Sequence, residues 1–304
     1  MKEDILKSWN DSTARKSIIE FVKNVTTEGS TDFVPIKDRV ATFDNDGTLW
    51  CEQPLQVQFF YVIDRIKVIA ESNPEMKDTQ PFKAFLEQDL KTISTFTKQQ
   101  LMEFLFTAMG EKTPEELASA VKNWFETARN PKFKFSYYDC AFKPQLELLD
   151  YLRANDFKVF IVSGGGIEFM RVISEKIYGI PTDCVIGSSV KTAIVMNGTV
   201  PVINRLKELA NFDDREEKVL NIHLHIGKRP ILAFGNSDGD LAMLRYTLAG
   251  NGKRLALLLH HDDAEREVAY DRDFKISPLN EALDVASAEG IQVVSMKNDW
   301  TRVF

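Results

Sequence analysis

The chain has 304 residues, 44% of them hydrophobic and 27% charged, which is enough apolar material for one large domain or two smaller ones. A net charge of −7 leaves no electrostatic footprint for nucleic acid, so any anion-binding site must be basic locally. Cysteines 51, 140 and 184 are odd in number and form no CxxC, which argues against a disulfide framework or a zinc site.

The start, MKEDILKSWNDS, carries charges of both signs and no apolar block, and no apolar run reaches a membrane span. A cytoplasmic protein is expected, with a secreted or periplasmic one left open should the chain have been trimmed. No nucleic-acid or membrane partner is expected, and the oligomeric state is not legible.

Taken in order, residues 1–32 hold one helical pattern, with Ser12 or Thr13 as cap ahead of Ile18, Ile19, Phe21 and Val22. Val40 to Phe43 then reads as a short buried strand, cut off by Asp44-Asn45-Asp46-Gly47-Thr48. Side chains at i and i+2 of an extended segment share a face. Two carboxylates placed there repel unless a cation or a proton offsets them. They also stand just beyond a strand end, where open α/β sheets place ligands.

Residues 52–135 change character. Helical patterns run from Pro54 through Ile69, from Phe82 to Leu90, from Lys98 to Met109 and from Thr113 to Ala128. Thr113-Pro114-Glu115-Glu116 is a strong helix start. The block reads as a helical insert. From about residue 140 strands and helices alternate, with FKVFIV (157–162), 184–186, 230–234 and 255–259 as strands. Asn197-Gly198 between apolar runs signals a hairpin. The expected fold is α/β: a Rossmann-like, doubly wound parallel sheet built from residues 1–51 and 136–304, with a helical cap over 52–135.

Four pieces of chemistry follow the strands in order. After Asp44 and Asp46 come Ser163-Gly164-Gly165-Gly166, opening a helix; Lys218, in the helix before the ILAF strand; and Gly235-Asn236-Ser237-Asp238-Gly239-Asp240 after that strand. Ser163 offers a hydroxyl, and the glycines let backbone N–H groups approach an anion at a helix start. Lys218 offers a point charge for phosphate, with Lys228 the runner-up. Asn236 and the acids of 238–240 offer hard oxygens suited to magnesium. Asp44 is then a carboxylate nucleophile, and Asp46 the acid for the leaving oxygen and the base for water. This is phosphoryl transfer through an aspartyl-phosphate.

These motifs make the chain resemble the haloacid dehalogenase superfamily of phosphotransferases, from about residue 40 to about residue 260. The insert after the first motif looks like the cap of its phosphoserine-phosphatase-like branch. The resemblance implies that Asp44 and Asp46 bind magnesium, Asp46 through its backbone carbonyl. It implies that Thr48, Ser163, Gly164, Gly165 and Lys218 hold the phosphate. Two positions depart from the family pattern. Asn236 stands where the family usually has Asp, so Asn236 is expected as a direct metal ligand with Asp240 in support. The cap glutamate of phosphoserine phosphatases falls at Gln53, with Glu52 one residue early, which argues against phosphoserine itself.

Asp238 reads equally as a ligand or a helix cap. His260-His261-Asp262-Asp263 reads as a polar loop. Trp50, Glu52, Gln53, Phe59, Tyr137 and Tyr138 are expected to form an aromatic, acidic mouth for a cationic or polar head group. The expected activity is magnesium-dependent hydrolysis of a small phosphomonoester. A phosphomutase or phosphotransferase of the same fold, or a non-catalytic phosphate-binding protein, is the alternative.

Overall fold

The computed structural model describes residues 5–87, 89–93, 95–110 and 112–304. A leader helix α1 (Thr13–Thr26) precedes strand β1 (Val40–Phe43). An insert of helices follows β1: α2 (Val57–Ser72), α3 (Phe82–Glu87), α4 (Leu90–Ile93), α5 (Lys98–Ala108) and α6 (Pro114–Thr127). The chain then alternates through α7 (Lys143–Ala154), β2 (Lys158–Gly166), α8 (Ile167–Tyr178), β3 (Val185–Asn197) and β4 (Val200–Asn211). It closes with α9 (Glu216–Ile226), β5 (Leu232–Gly235), α10 (Leu241–Leu248), β6 (Leu255–His260), α11 (Glu281–Glu289), β7 (Gln292–Ser295) and α12 (Met296–Asp299).

The strands form one seven-stranded sheet in the order β4-β3-β2-β1-β5-β6-β7. Every pairing is parallel except β3 with β4, which is an antiparallel hairpin. This is the Rossmann-like α/β architecture. β1 lies at the centre, and its four residues are all buried. Its neighbours β2 and β5 run parallel to it, so the segments after all three strands emerge at one edge. That edge is the carboxyl end of the sheet, where the order reverses direction around β1. A single core spans the sheet and the helices on both faces; Phe43 and Phe234 meet within it, ring centroids 6.0 Å apart.

Helix starts follow local chemistry. Ser12 caps α1 by accepting from Arg15 N, and Thr113 and Glu116 form a capping box before Pro114. The Asn197-Gly198 turn joins β3 to β4 with Gly198 at φ +63°. Both arms are far longer than the turn signal showed. They reach out beyond the core sheet, and β4 touches the insert: Arg205 N donates to Lys112 O.

Residues past 260, which carried no assigned element in the sequence, complete the molecule. β7 pairs with β6, and the chain then returns to the N-terminal segment. Trp9 packs edge-on against Trp300 at 5.9 Å, Asn10 N donates to Asp299 O, and Thr301 N donates to Ser8 O.

Since β1 supplies no exposed surface, its side chains act only through packing. Phe43→Ala should lower stability by about 3–5 kcal/mol in chemical denaturation. A loss under about 1 kcal/mol would show that β1 is not central to the core.

Candidate active site

The stretch after β1 is fixed from behind before any ligand arrives. Asn45 O accepts from Thr48 N and Leu49 N, and Asn45 Oδ1 accepts from the buried Tyr178 hydroxyl at 2.9 Å. Gly47 has φ +78°, and a β-carbon there would stand 2.2 Å from Asn236 Nδ2 and 2.5 Å from Glu52 Oε1. Only glycine fits both the backbone and the space. His261 reaches the same turn, with Nε2 2.7 Å from Gly47 O. A carbonyl only accepts, so this nitrogen carries the proton.

The centre of the site is the Lys218 ammonium. Its Nζ lies 2.7 Å from Asp44 Oδ1, 2.6 Å from Asp240 Oδ1 and 3.0 Å from Val162 O, and Lys218 is 3% exposed. Three strand ends therefore converge on one charge. The other Asp240 oxygen accepts from Asn236 N, Ser237 N and the Ser237 hydroxyl. Asp240 is thus consumed in holding Lys218 and the β5 loop, which leaves it as a support rather than a metal donor.

Asp46 is held by its indole neighbour, with Trp50 Nε1 donating to Oδ1 at 2.9 Å. Its second oxygen faces the glycine loop: a β-carbon on Gly165 would lie 3.5 Å from Asp46 Oδ2. Ser163 is buried beside this loop and its hydroxyl accepts from Gly165 N. Asp44, Asp46, Ser163, Gly164, Gly165 and Lys218 line a common cavity.

Other expected residues lie behind the cavity wall. Thr48 is fully buried and its hydroxyl donates to Asn236 Oδ1 at 3.0 Å. Asn236 Nδ2 donates to Glu52 Oε1 at 3.0 Å. Glu52 is fully buried and also accepts from the Tyr270 and Ser277 hydroxyls, at 2.8 and 2.7 Å. Neither Trp50 nor Glu52 lines the cavity; Trp50 is 1% exposed and stacks on Phe125. Lys228, the alternative to Lys218, is half-exposed and pairs with Asp38. Asp238 Oδ1 accepts from Asn280 N and Ala282 N, so it ties down the start of α11.

The acids outnumber the bases. Burial and Asp240 push Asp44 up to about 8 against the pull of Lys218, and burial pushes Asp46 up to about 6. Burial likewise pushes Asp213, 2.8 Å from Asn221, up to about 6. Lys218 is pushed well above its usual value by Asp240 and Asp44, which outweigh its own burial. One ammonium among several carboxylates leaves a deficit of positive charge. Among the described residues no three Asp, Glu, His or Cys side chains group into a metal cluster. The oxygens at hand are those of Asp44 and Asp46, with the Asn236 amide oxygen behind them keeping one lone pair beyond its bond from Thr48. These are hard donors, and with the charge deficit they suit a divalent cation such as magnesium.

Several working residues escaped the sequence reading. His261 belongs to a buried cluster, stacking on Tyr270 at 4.3 Å with Nδ1 3.4 Å from Glu267. Tyr270 and Ser277 hold Glu52 from a segment with no periodic pattern. Gln58 of α2 accepts from Gly166 N at 2.8 Å and so links the insert to the catalytic loop. Arg205 of β4 pairs with Glu168 at 2.5 Å and donates to Met109 O, joining hairpin, core and insert. The contacts of Glu52, Gln58 and Arg205, across 37 to 225 positions, leave no local trace. His261 alone had one, as a histidine directly after a buried strand.

The family model for haloacid dehalogenase-like hydrolases matches residues 41–245, and the chain belongs to that family. No curated protein matches it in sequence. Among solved structures it is similar to a functionally unknown protein from Anaerococcus prevotii DSM 20548, at 16% identity and TM-score 0.60, covering 97% of this chain and 94% of that one. It is similar to a protein of unknown function from Bordetella pertussis Tohama I, at 14% identity and TM-score 0.54, covering 84% and 98%. A phosphoserine phosphohydrolase-like protein from Francisella tularensis aligns at 15% identity and TM-score 0.41, covering 82% and 99%.

The Glu52 carboxyl stands at about 8 against an ordinary 4.5, mainly through burial. The folded chain therefore holds this proton more tightly than the unfolded chain. That stability is complete below pH 4.5 and is lost as the pH rises toward 8. In chelator, the melting temperature of the native protein should fall across this window, and that of Glu52→Gln should fall less. Equal falls would contradict the assignment.

Proposed function

We propose that the chain is a magnesium-dependent phosphomonoester hydrolase working through an aspartyl-phosphate on Asp44. The observation that carries this reading is the Lys218 bridge from Asp44 to Asp240, with Asp46 two residues on and facing the same cavity. A binding protein needs no carboxylate fixed in this way beside a second one able to exchange a proton.

The Asp44 carboxylate attacks phosphorus, and the bond to the ester oxygen breaks. Asp46, pushed up to about 6, exchanges its proton close to neutrality and in its protonated form gives it to the leaving alkoxide. A water then attacks the acyl phosphate, Asp46 takes its proton, and phosphate departs with Asp44 restored. Trp50 holds one Asp46 oxygen, so the other, toward Gly165, handles the proton. Lys218 fixes the Asp44 rotamer and balances the charge on the transferring group. The Ser163 hydroxyl and the Gly164 N–H would hold phosphate oxygens, with the Gly165 N–H orienting the Ser163 hydroxyl. Asp44, the Asp46 carbonyl and Asn236 would hold magnesium, which offsets the negative charge of nucleophile and phosphate. The insert, through Gln58 and Phe59, covers the site and excludes water.

Asp44→Asn should abolish turnover of an aryl phosphate. Asp46→Asn should lower it by about 10²–10⁴-fold for a poor leaving group, and chelator should silence the native protein until magnesium is restored. Metal-independent turnover, or turnover in Asp44→Asn at the native rate, would sink the mechanism.

A further inference from the structure

Apart from the residues that would hold phosphate, the cavity lining is largely apolar, with Glu168, Arg205, Asp214 and Arg215 as its charged members. The cavity holds about 310 Å³, room for a phosphate and a small organic body. Asp46 Oδ2 fixes where the leaving oxygen must stand, on the side of Gly165. Next along that line comes Gln58, whose Oε1 lies 3.7 Å from the place of a Gly165 β-carbon. Gln58 Nε2 in turn lies 3.5 Å from Met109 Sδ. Phe59, Phe106, Met109, Ile167 and Leu209 supply apolar surface to the same lining.

The charged side chains around this wall are spoken for. Arg205 is 5% exposed at its side chain and pairs with Glu168, itself 20% exposed. Asp214 and Arg215 stand together at 3.9 Å, with the Arg215 side chain more than half in solvent. Lys218 is committed to Asp44 and Asp240. Glu52, the acid nearest in sequence, is sealed behind the wall among neutral donors. An amino acid or amine head group placed here would lose its water and find only carboxylates already paired, Glu168 with Arg205 and Asp214 with Arg215. An apolar body would instead bury its surface against aromatic rings and thioether.

Resting on the phosphatase reading, we propose that this site selects phosphomonoesters of uncharged, apolar alcohols, alkyl or aryl, and rejects zwitterionic or cationic ones. Phe59, Phe106, Met109, Ile167 and Leu209 set that preference, and Gln58 meets the first atoms past the ester oxygen. The expectation from sequence, of an acidic mouth built on Glu52 and Trp50 for a cationic head group, gives way to this one because both residues lie outside the cavity.

The test is kcat/KM with magnesium for ethyl, butyl and hexyl phosphate beside phosphoserine and phosphoethanolamine. Each added methylene should raise kcat/KM by about two- to fourfold until the cavity is full. The charged esters should fall at least about tenfold below butyl phosphate. Ile167→Asp, a substitution that suits the first turn of α8 and so spares folding, should flatten the alkyl series. A flat series in the native protein, a series unchanged in Ile167→Asp, or phosphoserine above butyl phosphate would overturn the proposal while leaving the phosphatase reading intact. Turnover of none of the esters would overturn both.

Discussion

The molecule is arranged around one buried ammonium. Lys218 reaches from α9 into the carboxyl edge of the sheet and contacts β1 through Asp44, β2 through Val162 O and β5 through the Asp240 loop. Burying these ions costs several kcal/mol each in lost hydration, and their attraction repays it only where every remaining hydrogen bond is met. Asp240 shows that condition fulfilled, since its second oxygen takes two backbone N–H groups and a hydroxyl. Such a network stabilises little beyond what an apolar core would. What it does is fix the Asp44 carboxylate in one place, which in-line attack requires.

The same constraint explains the surrounding shell. With one ammonium set among Asp44, Asp46, Asp240 and Asp213, the site is short of positive charge, a need that the proposed magnesium would answer. Asn236 fits the picture as a neutral donor whose amide is pinned from both sides, by Thr48 at its oxygen and Glu52 at its nitrogen. Glu52 is held in turn by Tyr270 and Ser277, and the Gly47 turn by His261. The C-terminal segment, far from the motifs in sequence, is thus the back wall of the active site.

The core of this was legible from residue types and order. The β1 strand, its two carboxylates, the serine and glycines that end β2, and the GNSDGD run at the end of β5 each announce a strand end rich in polar groups. The alternation from residue 140 announced the parallel sheet. Less was legible where contacts are distant. Glu52 looked like a mouth residue because it follows the catalytic loop, yet the chain turns it inward onto Asn236. Asp240 was expected to support Asn236, and it does accept from Asn236 N, but its bond to Lys218 was not legible. The Asn197-Gly198 turn was plain, but the length of its arms was set by contacts to α6 and the core that no local pattern encodes. β7 went unread as well, its four residues after Gly290 being too short a run to stand out from the polar stretch before them.

The account stands or falls on covalent chemistry at one carboxylate. The most direct measurement is mass spectrometry of the protein, acid-quenched during turnover of a phosphate ester with magnesium present. A phosphoryl mass should appear on the peptide containing Asp44 and vanish on treatment with hydroxylamine, which cleaves acyl phosphates. Steady turnover with no such adduct on that peptide, or an adduct on another side chain, would contradict it.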